Sequence, residues 1–151
     1  MTNQGDPPPI AALLRVPYHA AMTHVRRRLT VELPDLRPAH LAVLQHLALP
    51  PAGPRLTDLA ERSQITVQSM GELIDTLEIH GYVERIPDQA DRRAKRIRST
   101  DRGSAAHVRG REIMLELHDA WAGQLGVLRF EQLLVLLRDL GESLRAGTND
   151  T

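Results

Sequence analysis

The sequence contains no cysteine, which rules out disulfides, thiolate metal sites and thiol-based redox sensing. It has four aromatic side chains, Tyr18, Tyr82, Trp121 and Phe130. Its apolar content is instead Leu, Ala, Ile and Val, a composition that favours helices over β-sandwiches. No apolar run approaches the roughly 20 residues needed to span a bilayer, so no membrane partner is expected. The opening stretch, Met1 to Pro9, is polar and proline-rich and does not read as a signal peptide. A cytoplasmic location is therefore expected.

Catalytic signatures are missing too. The chain holds no nucleophile elbow, no phosphate-cradling glycine loop and no metalloprotease motif. Ser63, Ser69, Ser99, Ser104 and Ser143 stand in no context that would activate a hydroxyl. Seven histidines, His19, His24, His40, His46, His80, His107 and His118, invite a metal hypothesis. His19 and His24 are five apart and His40 and His46 six apart, so neither pair shares a helix face well. The expectation is a protein that is not an enzyme and has no cofactor and no metal site. A metal-responsive regulator remains a lesser alternative.

Net charge is zero, yet the charge is unevenly placed. From Arg85 to Arg111 there are nine bases and three acids, a local excess of six, and Lys95 is the only lysine in the chain. A nucleic-acid binder needs a basic region rather than a basic total.

Residues 1–9, ending in Pro7-Pro8-Pro9, read as a mobile arm. Residues 10–31 have helical spacing, with Leu13, Leu14, Met22, Val25 and Leu29 on one broad face. Pro17 either kinks that helix or marks its start. Pro38 opens a second helix carrying Leu41, Leu44 and Leu47, which stops before a turn at residues 50–54. Two short helices follow. Thr57 is expected to cap the first, with Asp58 and Glu61 near its positive end. Thr66 is expected to cap the second, which would bury Val67, Leu73, Ile74 and Leu77 and end at Gly81 in a left-handed conformation.

After Gly81 the spacing changes. Tyr82 to Ile86 alternates like a strand, Pro87 to Ala90 is turn-like, and Arg96 to Ser99 returns as the partner strand, giving a hairpin with a cationic tip. Thr100 can cap a long helix reaching about Trp121. A last helix, roughly Phe130 to Ala146, follows a joint marked by Gly123 and Gly126. Its Leu133, Leu134, Leu136, Leu137, Leu140 and Leu144 cover more than a narrow stripe, which calls for burial on more than one side and hence a partner. The competing reading is an ordinary core helix.

Two short helices followed by a strand, a cationic turn and a strand form the plan of a winged helix. The major groove admits a helix and presents a distinct donor and acceptor pattern for each base pair. A basic hairpin beside that helix can reach phosphates or the minor groove. On the helix from Thr66, the exposed side near the amino end offers Thr66, Gln68, Ser69 and Glu72. Gln68 has the groups to pair with adenine, and Glu72 can accept from the cytosine amino group. The competing reading is a merely solvated helix face, and the hairpin beside it weighs against that.

Leu56-Thr57-Asp58-Leu59-Ala60, Thr66-Val67-Gln68-Ser69-Met70, Leu77-Glu78, Gly81-Tyr82-Val83-Glu84-Arg85 and Asp91-Arg92-Arg93-Ala94-Lys95 resemble, in this order, the signatures of MarR-type regulators. Ser99-Thr100-Asp101-Arg102-Gly103 resembles the family's Leu-Thr-x-x-Gly step, with Ser where Leu is usual. The resemblance covers residues 36–103; the outer helices match in length and placement only.

The fold implied is mainly α, a winged helix-turn-helix with a small β-hairpin wing and an intertwined helical dimerisation region. The expected divisions are a flexible arm at 1–9, a dimerisation helix at 10–34, a DNA-binding lobe at 35–100 and dimerisation helices at 101–151. By resemblance, the helix from Thr66 enters the major groove of double-stranded DNA and the wing the adjacent minor groove. Arg93 is then the inserted side chain and Arg92 lies nearby. Lys95 and Arg96 reach phosphates, while Asp91 orients the wing through charge pairing.

Similar regulators take a small aromatic or phenolic effector in a crevice between the dimer helices and the DNA-binding lobe. Tyr18, His19, Met22, His46, His118 and Trp121 lie on helices that would border it, though plain packing competes for each. Glu72 and Gly71 are unusual on a reading face, since Glu72 repels phosphate. The functional expectation is a ligand-responsive, homodimeric repressor on a pseudo-palindromic operator. The principal rival is a winged helix that binds protein and has lost DNA.

Overall fold

A computed structural model describes residues 9–49, 53–91 and 93–148. Six helices and one hairpin follow in the order α1 (Ile10–Glu32), α2 (Pro38–Leu47), α3 (Leu56–Ser63), α4 (Val67–Ile79), β1 (Val83–Pro87), β2 (Lys95–Ser99), α5 (Asp101–Leu125) and α6 (Val127–Thr148). The fold is thus mainly helical with a two-stranded antiparallel sheet, as the sequence implies. The chain forms two compact units, one ending at Ile113 and the other beginning at Met114.

In the first unit, Val25 and Leu29 of α1, Val43, Leu44 and Leu47 of α2, Leu59 of α3, and Met70, Ile74 and Leu77 of α4 are buried with Tyr82, Val83, Ile97 and Ile113 in one core. The spacing within each helix is that of a single apolar face. In α4 the buried set differs from the expected one: Met70 is fully buried, whereas Val67 is 47% exposed. One turn into the helix the core-facing stripe is already taken by Met70, and Val67 is left on the outside.

The ends of these helices show which local signals were decisive. Pro38 occupies the first turn of α2, and the Arg37 backbone N–H donates to Nδ1 of buried His40 at 3.1 Å. Burial, then Arg37 and His80, keeps the His40 imidazole below its usual range, so it serves as a neutral acceptor. The cap of α3 is Arg55, not Thr57: the helix starts at Leu56, and the Arg55 N–H donates to Asp58 Oδ2 at 2.9 Å. Thr66 does cap α4, accepting from the Ser69 N–H at 3.1 Å.

Gly81, at φ +73°, closes α4, with the Tyr82 N–H returning to the Leu77 carbonyl at 2.8 Å. That is the left-handed helix end in which glycine avoids a Cβ penalty. Pro17 neither starts nor ends α1, which continues through it. The carbonyl of Leu13 loses its donor there, but every side chain from Pro9 to Ala20 is exposed, so water can supply the bond.

Thr100 caps α5 by accepting from the Gly103 N–H at 3.1 Å, while its own N–H donates to the Tyr82 carbonyl. A Cβ at Gly103 would lie 2.0 Å from that carbonyl oxygen, so the first turn of α5 can pack there only with glycine. In the second unit α5 ends at Leu125 rather than near Trp121. Gly126, at φ +90°, makes the joint; Gly123 lies inside the helix. Phe130 and Leu117 are its buried side chains, and the His118 ring meets Phe130 edge-on with centroids 4.7 Å apart.

Candidate nucleic-acid interface

The face of α4 turned away from the core carries Gln68, Ser69 and Glu72, all exposed, with Thr66 exposed at its start. The Thr66 hydroxyl is engaged twice, accepting from the Ser69 N–H and donating to Ser69 Oγ at 2.9 Å. Ser69 retains its own proton to donate outward. Helix α4 contains three carboxylates and no lysine or arginine. Two of the three, Asp75 and Glu78, are bound by Arg85 of β1. Glu78 also accepts from the Arg85 backbone N–H at 3.2 Å, tying the end of the helix to the start of the wing. Glu72 makes no ion pair with any described residue, and its side chain stands in solvent.

The wing is a five-residue antiparallel ladder running from Val83↔Ser99 to Pro87↔Lys95. Ile97 points into the core, while Glu84 and Arg98 pair across the outer face at 2.8 Å. The tip is held by its own backbone: Asp88 N–H to Ala94 O at 3.0 Å, and Ala94 N–H to Asp91 O at 2.9 Å. Arg93 and Lys95 are exposed beside it. Arg92 falls outside the described residues.

Among the described residues, the carboxylate that forms ion pairs at the wing is Asp88; Asp91 forms none. Asp91 is exposed, and its side chain accepts from the Arg93 backbone N–H at 3.0 Å, an Asx-type turn that shapes the tip. Asp88 is 2% exposed. Its Oδ1 accepts from the Ala90 N–H at 2.9 Å, and its Oδ2 meets Arg55 at 2.8 Å and Arg96 at 3.2 Å. The Ala90 N–H, then Arg55 and Arg96, hold its carboxyl well below the usual range, at about 2.

Arg96 also donates to the Gly53 carbonyl at 2.9 Å, and the Ile97 N–H reaches Pro54 O at 2.9 Å. The root of the wing is therefore fixed to the segment leading into α3. It also follows that the Arg96 guanidinium is used internally, in contrast to Arg93 and Lys95.

Of the residues expected at an effector crevice, Tyr18 is 68% exposed and His19 exposed, while Met22, His46, His118 and Trp121 are half-buried. His46 is kept below its usual pKa by burial and then by Arg62. His118 and Trp121 belong to the second unit and the other four to the first. A cavity of about 340 Å³ in the first unit has a different lining, including Asp35, Tyr82, Arg102, Ala106 and Arg109. There the Arg102 guanidinium lies over the Tyr82 ring at 4.4 Å and pairs with Asp35 at 3.1 Å. Among the described residues no group of three His, Asp or Glu is placed to hold a metal ion, and no helix is long and apolar enough to cross a membrane.

Residues 35–94 match the family model described as the MarR family. No curated protein matches the sequence. The reduced form of MarR from E. coli superposes with a TM-score of 0.79 at 20% identity, over 90% of this chain and 98% of that one. Streptococcus pneumoniae FabT, solved in complex with DNA, gives 0.77 at 15% identity, over 91% and 96%. S. aureus MepR, also solved as a DNA complex, gives 0.74 at 25% identity, over 88% and 96%. The matched segment runs from the loop before α2 to the tip of the wing, the same stretch in which α4 and the hairpin are held together. Residues 35–94 thus match the MarR family, and the fold around them is the winged helix-turn-helix seen in MarR from E. coli.

Proposed function

We propose that the chain is a cytoplasmic, homodimeric transcriptional regulator that binds a pseudo-palindromic DNA site, with α4 in the major groove and the wing tip in the flanking minor groove. The observation that carries this reading is the pairing of an exposed polar face on α4 with a rigidly rooted wing ending in exposed Arg93 and Lys95. Such a hairpin supplies the sequence-independent electrostatic attraction, and the helix supplies the sequence reading. That FabT and MepR were each solved with DNA supports the same assignment. Regulation follows if a small aromatic or phenolic anion favours a lobe spacing that no longer matches consecutive major grooves. The expected effect on transcription is repression, released by that ligand.

A second reading, a winged helix that binds protein, is favoured by one observation: α4 holds no basic residue. A titration of purified protein against DNA from its own gene's upstream region, at two salt concentrations, separates the two. The DNA reading expects tight, sequence-dependent binding that weakens as salt rises, and severe weakening in Arg93→Ala with fold and dimer retained. Binding no better than to random DNA at low salt would favour the protein-interaction reading. Unchanged affinity in Arg93→Ala would remove Arg93 from the wing contact.

A further inference from the structure

We propose that Glu72 is the principal specificity-determining residue of α4, selecting a cytosine in each half-site, with exposed Val67 reading a neighbouring thymine methyl; this rests on the DNA reading above. The argument starts from charge. Of the three carboxylates on α4, Asp75 and Glu78 share an ion pair with Arg85, and Glu72 alone is left without one among the described residues. An ionised carboxylate only accepts hydrogen bonds, and phosphate oxygens repel it. In the major groove the donors are the amino groups of cytosine and adenine. Adenine sets the acceptor N7 beside its amino group, which disfavours a carboxylate and suits an amide. Cytosine is therefore the base for Glu72, and adenine the base for Gln68.

The rest of the helix fits this division. Gln68 and Glu72 are four positions apart, about 6 Å along the axis, so the two reach base pairs within about two steps of each other. Thr66 and Ser69 hydroxyls are joined to one another at the cap and are suited to a phosphate rather than a base edge. Val67 lies in the first turn, 47% exposed, where an apolar group has no core to enter and a thymine methyl can cover it. With no arginine or lysine, α4 lacks the guanidinium that most often reads guanine. The half-site is thus read through cytosine, adenine and thymine, and the wing supplies the positive charge.

The test is selection from a randomised half-site library by the wild type, Glu72→Gln, Glu72→Ala and Val67→Ala. The wild type is expected to prefer cytosine at one position roughly fivefold or more over other bases. Both Glu72 variants should lose that preference, keep the neighbouring ones and bind random DNA more tightly. Val67→Ala should relax only the adjacent thymine. An unchanged consensus in both Glu72 variants would overturn the assignment and leave DNA binding standing. No enrichment by the wild type would overturn both.

Discussion

Asp88 decides where the wing can go. It is buried, yet three donors from three parts of the chain meet it: the Ala90 N–H in the tip, Arg55 before α3 and Arg96 on β2. With its folded pKa near 2, below the roughly 4 of an unfolded carboxylate, the proton prefers the unfolded chain. The stabilisation is therefore complete above about pH 4 and is lost as pH falls towards 2. Glu32, also held at about 2 by Arg109 and then Arg28, adds to the same acid limb. Denaturant melts from pH 7 to pH 2 should show a steep loss below pH 4. In Asp88→Asn that loss should be shallower and stability at pH 7 lower; parallel profiles would mean that the carboxylate charge does not hold the wing.

The family resemblance points to Asp91 for this role because it sits in the Asp-Arg-Arg motif. Asp88 was not legible, since its partner Arg55 lies 33 residues away and nothing local links them. The cap of α3 is hidden for a related reason. The Arg55 backbone N–H donates to Asp58, and a backbone donor leaves no mark on residue type. Spacing alone puts Val67 in the core, but near a helix end the spacing fits either side of the stripe.

At the scale of elements, the junction from wing to α5 shows why a short motif can be read with confidence. Thr100 and Gly103 act together: the threonine side chain takes the Gly103 N–H and donates to the Gly81 carbonyl at 2.7 Å, drawing α5 against the Tyr82 backbone. Gly103→Ala pits two effects against each other. Alanine favours a helix by about 1 kcal/mol over glycine. Its Cβ, however, would stand 2.0 Å from the Tyr82 carbonyl and 2.5 Å from Ser99 Oγ. The carbonyl cannot retreat without breaking its bond from the Thr100 N–H. The clash should win, with a net loss of roughly 1–3 kcal/mol in urea unfolding; a stabilised variant would mean that the junction gives way freely.

The same logic explains which elements were visible beforehand. The Thr66 and Thr100 caps, Pro38 and Gly81 announce helix ends by side-chain chemistry, and the alternation after Tyr82 announces a strand. Helix α6 starts three residues before the Phe130 to which the spacing points, because Val127 to Arg129 carries no side-chain cap signal. Its first turn instead follows Gly126, whose carbonyl accepts from the Phe130 N–H at 3.0 Å.

For the whole molecule, the unbalanced feature is apolar surface. On α6, Leu133, Leu136, Leu137, Leu140 and Leu144 are exposed, with Leu136 at 66%; on α1, Ile10, Leu13, Leu14, Val16 and Tyr18 are exposed as well. Burying a leucine fully is worth about 1.5–3 kcal/mol, and these five are 39–66% exposed, so covering them gives on the order of 5 kcal/mol per copy. Association costs about 4–15 kcal/mol in lost freedom, so the leucines of α6 from two copies are a marginal driving force by themselves.

A second copy of the chain is the cover proposed above, and charge placed on α6 tests it. Leu136→Glu combined with Leu140→Glu should give a monomer by light scattering. The helical content should be kept, because the buried core of the first unit contains neither residue. DNA affinity should then fall far more on a two-half-site fragment than on a single half-site, because only the former uses both recognition helices. A double variant that still runs as a dimer would place the interface elsewhere and leave the leucines of α6 for another partner.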